Sequence, residues 1–498
     1  MLKKTRTVLA AICFVLITLL FLDFTGTLHA WLGWVAKIQF LPAVMALNFV
    51  VVVCLVLLTL VFGRVYCSVI CPLGVMQDVV SHVSGCRKKK KHRFSYSPAK
   101  NWLRYGFLLI FVVAFVAGAG SVVALLAPYS SYGRIAQNLL QPVWIGANNV
   151  LAYFAERLDS YAFYSRDIWI RSISTFAIAA ATLVVVGVLA WRNGRTYCNT
   201  VCPVGTVLGF LSRFSWLKVR FDSDKCRSCG MCSRTCKASC IDFKSKTVDY
   251  SRCVTCGDCL EQCKFGALRY GAANKADKTA AGDNGGGDTP DSSRRAAMLG
   301  AVALATTAVM SQTKKKVDGG LAAIEDKVVP VRQTPIVPPG AVSAAHMAKH
   351  CTACQLCVAV CPNDVLRPSD DPLKLMQPTM SYERGYCRPE CTKCSEVCPA
   401  GAILPITRAE KSSVQIGHAV WVKKNCIPLT DGVACGNCAK HCPVGAIIMV
   451  PMQKGDGIVR VPSVNVERCI GCGTCENLCP ARPLSAIYVE GNEVHRVI

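Results

Sequence analysis

Six runs of four cysteines limit what this chain can fold into more than any other feature. The first two read Cys226-x2-Cys229-x2-Cys232-x3-Cys236 and Cys253-x2-Cys256-x2-Cys259-x3-Cys263. This is the spacing of a two-cluster bacterial ferredoxin, where the fourth cysteine of each run ligates the other run's [4Fe–4S] cluster. The expected sets are therefore Cys226, Cys229, Cys232 with Cys263, and Cys253, Cys256, Cys259 with Cys236. Three thiolates on a tight loop cap one corner of the cube, and a fourth has to arrive from elsewhere. Zinc also uses paired Cys-x2-Cys, but it seldom needs successive triplets with a distant fourth ligand. Lysine, not proline, follows Cys236 and Cys263, and an exposed lysine beside a cluster would raise its potential. Cys240 has no assignment from spacing.

Four further runs lie near the C-terminus: Cys351, Cys354, Cys357, Cys361; Cys387, Cys391, Cys394, Cys398; Cys426, Cys435, Cys438, Cys442; and Cys469, Cys472, Cys475, Cys479. Every fourth cysteine precedes a proline, as in the bacterial ferredoxin run. The second run opens with three intervening residues and the third with eight, so those loops are distorted. Sixteen cysteines suit four clusters, six in all for the chain. Spacing leaves open whether the last four runs pair as neighbours or nested.

The first half is apolar. Thr7–Leu22, Phe40–Phe62, Phe107–Ala127 and Ile173–Trp191 are candidate membrane helices, the last three at the roughly 20 residues a span requires. For the first, a cleaved signal peptide is the competing reading, but no small-residue cleavage site follows closely. Positive charge orients them. Arg64, Arg87–Lys91, Arg93, Lys100 and Arg104 sit between the second and third segments against Asp78 alone, and Lys3, Lys4 and Arg6 precede the first. Lys and Arg mark cytoplasmic loops, so both ends of this unit face the cytoplasm. The net charge of +25 then needs no nucleic acid.

Two stretches of this half repeat Gly-Arg-x-Tyr-Cys-x3-Cys-Pro-x-Gly, at Gly63–Gly74 and Gly194–Gly205. The pairs Cys67, Cys71 and Cys198, Cys202 are candidate redox residues that hold a metal, form a disulfide or line a quinone site, or else pack as small apolar residues in tight turns. A pseudo-twofold axis would let them face each other. Asp23, His29, Asp78 and His82 lie near helix ends as possible proton acceptors, though such positions are ordinarily solvated loops.

Between the halves, Ala272–Ser293 is a low-complexity linker. Ser292-Ser293-Arg294-Arg295 and the uncharged run Ala296–Thr313 then match a twin-arginine export signal, with a plain helix as the alternative. Without a cleavage site it is expected to stay as a fifth, anchoring helix. The expected organisation is a multi-domain protein: a four-helix membrane unit (1–220), a cytoplasmic α+β ferredoxin-like domain (221–271), a linker and anchor (272–345) and an exported four-cluster domain (346–498).

Residues 1–270 resemble the NapH-type membrane ferredoxins and the related membrane half of NosR, through the four helices, both Cys-x3-Cys-Pro motifs and the two ferredoxin runs. Residues 290–498 resemble NapG-type exported four-cluster ferredoxins. The resemblance implies a quinol-dehydrogenase-like component of a bacterial inner membrane, drawing on the quinone pool and serving a periplasmic reductase or electron carrier. No terminal catalytic site of its own is evident. Supplying electrons for maturation or regulation of another metalloenzyme is the alternative.

Overall fold

The computed structural model describes residues 2–87, 94–160, 162–222, 224–272, 325–454 and 457–498. The twin-arginine segment lies outside the described residues.

Helix formation in the first half follows the apolar runs. The helices are α1 (Leu2–Leu22), α2 (Thr27–Lys37), α3 (Phe40–Met45), α4 (Phe49–Phe62), α5 (Pro72–Arg87), α6 (Asn101–Val116), α7 (Gly120–Leu126), α8 (Pro128–Ile135), α9 (Gln141–Arg157), α10 (Ile173–Asn193), α11 (Thr196–Thr200) and α12 (Pro203–Ser212). Among the described residues, α1 and α10, at 21 residues each, are long and apolar enough to cross a membrane. The segments expected as continuous over 40–62 and 107–127 are each broken. Leu47 adopts a φ of 52° and Asn48 caps α4 through its side chain, so α3 and α4 are separate. Gly118, at a φ of 73°, likewise parts α6 from α7. Hydropathy averages over such breaks because both flanks are apolar.

Two ferredoxin-type units dock on the helices at opposite ends. The first pairs β1 (Lys218–Phe221) with β4 (Leu268–Gly271), and β2 (Ile241–Asp242) with β3 (Thr247–Val248), both antiparallel. It meets the helix ends at Lys3, whose Nζ lies 2.8 Å from Glu261, and at the Phe62 carbonyl, which accepts from Tyr270 Oη at 3.0 Å. It also meets Arg195, whose backbone N–H donates to the Lys237 carbonyl.

The second unit is built on the antiparallel pairs β5 (Leu366–Pro368) with β6 (Pro378–Met380), β7 (Val414–Trp421) with β10 (Ile487–Val497), and β8 (Ile447–Lys454) with β9 (Gly457–Val464). It meets the other end of the helices. Lys393 donates to the Thr25 carbonyl beyond α1, Ser121 of α7 to the Pro372 carbonyl, and Ser172 at the head of α10 to Asp370. The routes α1, α3–α4, α6–α7 and α10 thus all run between the same two docked units.

Part of the stretch expected as linker (272–345), residues 325–342, lies along this second unit. Arg332 pairs with the buried Glu476 at 2.5 Å, and the Met380 N–H donates to the Ile336 carbonyl. One apolar core runs without a break from the helices into this unit and takes in Val254 and Cys256 of the first unit, which otherwise has its own small core.

Candidate metal centres

Each cysteine loop is wound by local backbone geometry. A residue of positive φ separates the first and second cysteines of four runs: Ser228, Thr255, Ala353 and Gly471. Another separates the second from the third: Gly230, Gly257, Gln355 and Gly473. At Gly473 an added Cβ would come within 2.2 Å of the Tyr382 ring, so glycine is needed there for room as well as for φ. A five-residue helix then carries the chain to the fourth cysteine, as in Leu356–Val360 before Cys361.

The result is a series of cavities ringed by thiols. Cys351, Cys354 and Cys357 surround one with Cys398; Cys387, Cys391 and Cys394 surround another with Cys361. Cys426, Cys435 and Cys438 share theirs with Cys479, and Cys469, Cys472 and Cys475 with Cys442. Adjacent runs therefore exchange fourth cysteines, the question that spacing left open. The irregular second and third runs keep the arrangement, and some of their extra residues, Arg388 in one and Ile427 and Pro428 in the other, line the cavities. In the first unit Cys253, Cys256 and Cys259 ring a cavity with Cys236. Cys263 packs against the small core that contains Cys232.

These residues fit iron–sulfur clusters. Among the described residues no three His, Cys, Asp or Glu side chains are close enough to hold a single metal ion. The described cysteines are all unbridged. Backbone N–H groups donate to Cys263, Cys442 and Cys479 Sγ at 3.3 Å, the bonding a ligating thiolate needs. Burial is the chief cause that pushes the Cys232 and Cys438 thiols up to about 11 and those of Cys256 and Cys354 up to about 12. Metal is required to displace those protons.

One residue departs from expectation, and one left unassigned by spacing gains a place. Lys237 is not an exposed cation beside its cluster loop: its Nζ lies 2.9 Å from Asp258 and 3.7 Å from Asp78, so its charge is matched. Cys240 lines the same cavity as Cys236 and is 1% exposed, with its sulfur 3.5 Å from Cys236 Sγ. With Cys236 ligating as a thiolate, the Cys240 S–H is the donor, and such a bond favours the reduced cluster. Cys240→Ala is expected to leave iron content unchanged and to move one midpoint potential of the two-cluster unit to a more negative value. An EPR-monitored redox titration reads this, and an unmoved potential would remove the hydrogen bond from the account.

Three of the four helix-end acids and histidines differ from the solvated positions expected of them, and His82 does not. Asp23 and His29 are buried and paired, His29 Nδ1 lying 3.1 Å from Asp23 Oδ2. Asp78 is bound by Arg195 at 2.8 Å and Arg6 at 3.0 Å. His82 is exposed, on α5. Apolar patterning treats helix ends as loops, and nothing in it signals that a domain covers them.

Thiol-ringed cavities in ferredoxin-type loops define a multi-domain iron–sulfur protein whose function is electron transfer. Family models agree: one described as a 4Fe–4S binding domain matches residues 44–92 and 173–222, and three described as 4Fe–4S dicluster domains match 249–365, 350–403 and 433–482. The match over 249–365 joins one run from each unit, whereas the cavities pair those runs within their own units.

The chain's homologues are ferredoxin-type proteins with 4Fe–4S domains. It is 32% identical over 151 residues to the methylamine utilization ferredoxin-type protein MauM of Methylobacillus flagellatus, covering 29% of this chain and 64% of that protein. It is 31% identical over 148 residues to MauM of Methylophilus methylotrophus, covering 28% and 65%. It is 29% identical over 158 residues to the ferredoxin-type protein NapF of Escherichia coli K12, covering 32% and 87%. The chain thus spans just under two thirds of the length of the MauM proteins. No solved structure matches it.

Proposed function

We propose that this is a membrane-bound protein that oxidises quinol and relays the electrons to a periplasmic reductase or electron carrier. The observation that carries the reading is the arrangement of two ferredoxin-type units at opposite ends of helices whose outward flanks are apolar. Val8, Leu9, Ile12 and Val15 of α1 are exposed, as are Val50, Val53 and Leu57 of α4, Leu109, Ile110 and Val113 of α6, and Val184, Val185 and Val188 of α10. A soluble protein seldom bares so much contiguous apolar surface. Exposed tryptophans flank it: Trp102 and Trp216 at the two-cluster end, Trp31 and Trp34 of α2 at the other, as in membrane interface belts.

The basic loops place the two-cluster unit in the cytoplasm on this reading. The chain leaves that unit at Gly271 and by Lys327 is packed into the opposite one. On this reading the twin-arginine stretch, which falls between them in the sequence, is the fifth, anchoring helix. When bound, each cluster exchanges one electron at a time. Quinol yields two electrons and two protons, so the proton acceptor must be a side chain or water. His29 is the candidate: its Nε2 is buried without a protein partner, and Gly26, close by, is packed against Val360 and Lys393 of the exported unit.

Two measurements test the proposal in the full-length protein. A reduced quinol analogue added anaerobically to the detergent-purified protein should bleach the iron–sulfur absorbance. A reporter fused after Ile498 should be active in the periplasm. A cytoplasmic reporter, or clusters that answer to a low-potential donor but never to quinol, would overturn it.

A further inference from the structure

The two Cys-x3-Cys-Pro repeats come together as one buried site. Cys67, Cys71, Cys198 and Cys202 are each 4–5% exposed. Each repeat sends its arginine into the other. Arg64 Nη2 donates to the Cys198 carbonyl at 3.3 Å, and Arg195 Nη1 to the Cys67 carbonyl at 2.6 Å. The glycines that close the repeats make room for these crossings. A Cβ on Gly205 would lie 2.9 Å from Arg64 Nη2, and one on Gly74 2.7 Å from Arg195 Nη1. The pseudo-twofold relation is thus built from the same residues on both sides.

The sulfurs are surrounded by donors. Gln77 Nε2 lies 3.2 Å from Cys198 Sγ, Arg64 Nη2 3.8 Å from Cys67 Sγ, and the Gly205 N–H donates to Cys202 Sγ at 3.3 Å. That last bond matches those received by the ferredoxin cysteines. Cys71 and Cys202, at φ, ψ of −73°, 114° and −69°, 116°, also share the backbone of the fourth ligands Cys361 and Cys398, at −66°, 112° and −67°, 113°. The following proline holds all four there.

Charge supplies an independent argument. Arg195 is balanced by Asp78. Arg64 is 0% exposed, has no carboxylate partner among the described residues, and its Nε has no acceptor. A buried, unpaired guanidinium is strongly destabilising unless an anion occupies the site. Four thiolates around iron and sulfide carry net negative charge and would meet that need. Residues 173–222, matched as a 4Fe–4S binding domain, contain only two cysteines, so any cluster there must borrow ligands.

We propose that Cys67, Cys71, Cys198 and Cys202 jointly hold one further iron–sulfur cluster, with Arg64 and Arg195 as counter-cations. It lies between the two units. Arg64 Nη1 donates to the Ser251 carbonyl, two residues before Cys253, and on the other side Gly133 of α8 is in contact distance of the Cys354 carbonyl. A role as the link between cytoplasmic and exported centres rests on the electron-transfer reading above; the metal content does not.

The test is iron and acid-labile sulfide per chain in anaerobically purified full-length protein. About 28 irons are expected, against about 24 for six [4Fe–4S] clusters alone. Cys71→Ala/Cys202→Ala should drop the count to about 24 and delete one EPR signal while the others persist. About 24 irons in the wild type, zinc at the site, or a Cys67–Cys198 or Cys71–Cys202 disulfide would overturn the proposal. The wild-type count decides even if the variant does not accumulate. Quinol failing to reduce a protein that holds about 28 irons would sink the quinol reading and leave this one standing.

Discussion

Replacing His29 by glutamine is expected to slow quinol-driven reduction by about 10²–10⁴-fold, the range supplied by one positioned proton acceptor. The expectation comes from how Asp23 is used. Its Oδ1 accepts from the Thr25 and Gly26 N–H groups and the Thr25 hydroxyl, and its Oδ2 from the Leu28 N–H. Burial pushes the Asp23 carboxyl up, but the bonds from His29, Thr25 and Gly26 outweigh it and hold the group well below the usual carboxylate range. An ionised Asp23 takes a hydrogen bond from His29 Nδ1, which leaves the Nε2 lone pair free to accept a proton. Glutamine can still donate to Asp23 but has no basic nitrogen.

Two readouts separate a proton acceptor from a structural residue. His29→Gln should keep its full iron content and its cluster potentials. It should lose rate in kcat more than in KM. Asp23→Asn, which removes the charge that fixes the tautomer, should lower the same rate through positioning alone. An unchanged rate in His29→Gln would remove His29 from quinol chemistry and send the search for the acceptor elsewhere.

How much of this was legible in the sequence depends on the range of the constraint. Three ligands on one loop must be close in the chain, so the cysteine runs announce their chemistry by spacing. The fourth cysteine arrives by tertiary packing, and for the last four runs only the folded chain shows that neighbours place it in each other's cavities. The repeats at Cys67 and Cys198 were visible as repeats. Their crossing by Arg64 and Arg195 was not, because a guanidinium at the end of four bonds has no sequence register. Hydropathy found four apolar stretches but averaged across Leu47 and Gly118, where positive φ breaks two of them. Residues 325–342 carry the prolines of a linker, yet Arg332 and Glu476 tie them down. Asp23, His29 and Asp78 look like loop residues until the docked units cover them.

Asp78→Asn is expected to cost about 3–5 kcal/mol, the range for breaking a buried ion pair from one side. Asp78 gathers cations from three parts of the chain: Arg6 of α1, Arg195 beside α11, and Lys237 of the two-cluster unit, with Arg195 engaging it through both Nε and Nη2. Its side chain is 13% exposed and that of Arg195 is 0%, so water cannot replace the lost carboxylate. The variant should unfold at a markedly lower temperature in detergent, and its two-cluster unit should become susceptible to protease, because Lys237 is part of what docks that unit on the helices.

Acid should act on the same network. Burial pushes the Asp78 carboxyl up, but Arg195, Lys237 and Arg6 together hold it below the usual carboxylate range. A depressed folded value means that the stabilisation is complete above about pH 4, the unfolded carboxylate value, and is lost as pH falls through the folded one. Asp78→Asn should therefore flatten the acid limb of the unfolding midpoint. In a double-mutant cycle Arg6→Gln should cost less in the Asp78→Asn background than in the wild type, by roughly 0.5–3 kcal/mol if the two side chains are coupled. Strict additivity would mean that the Asp78 network does not hold α1 to the rest of the unit.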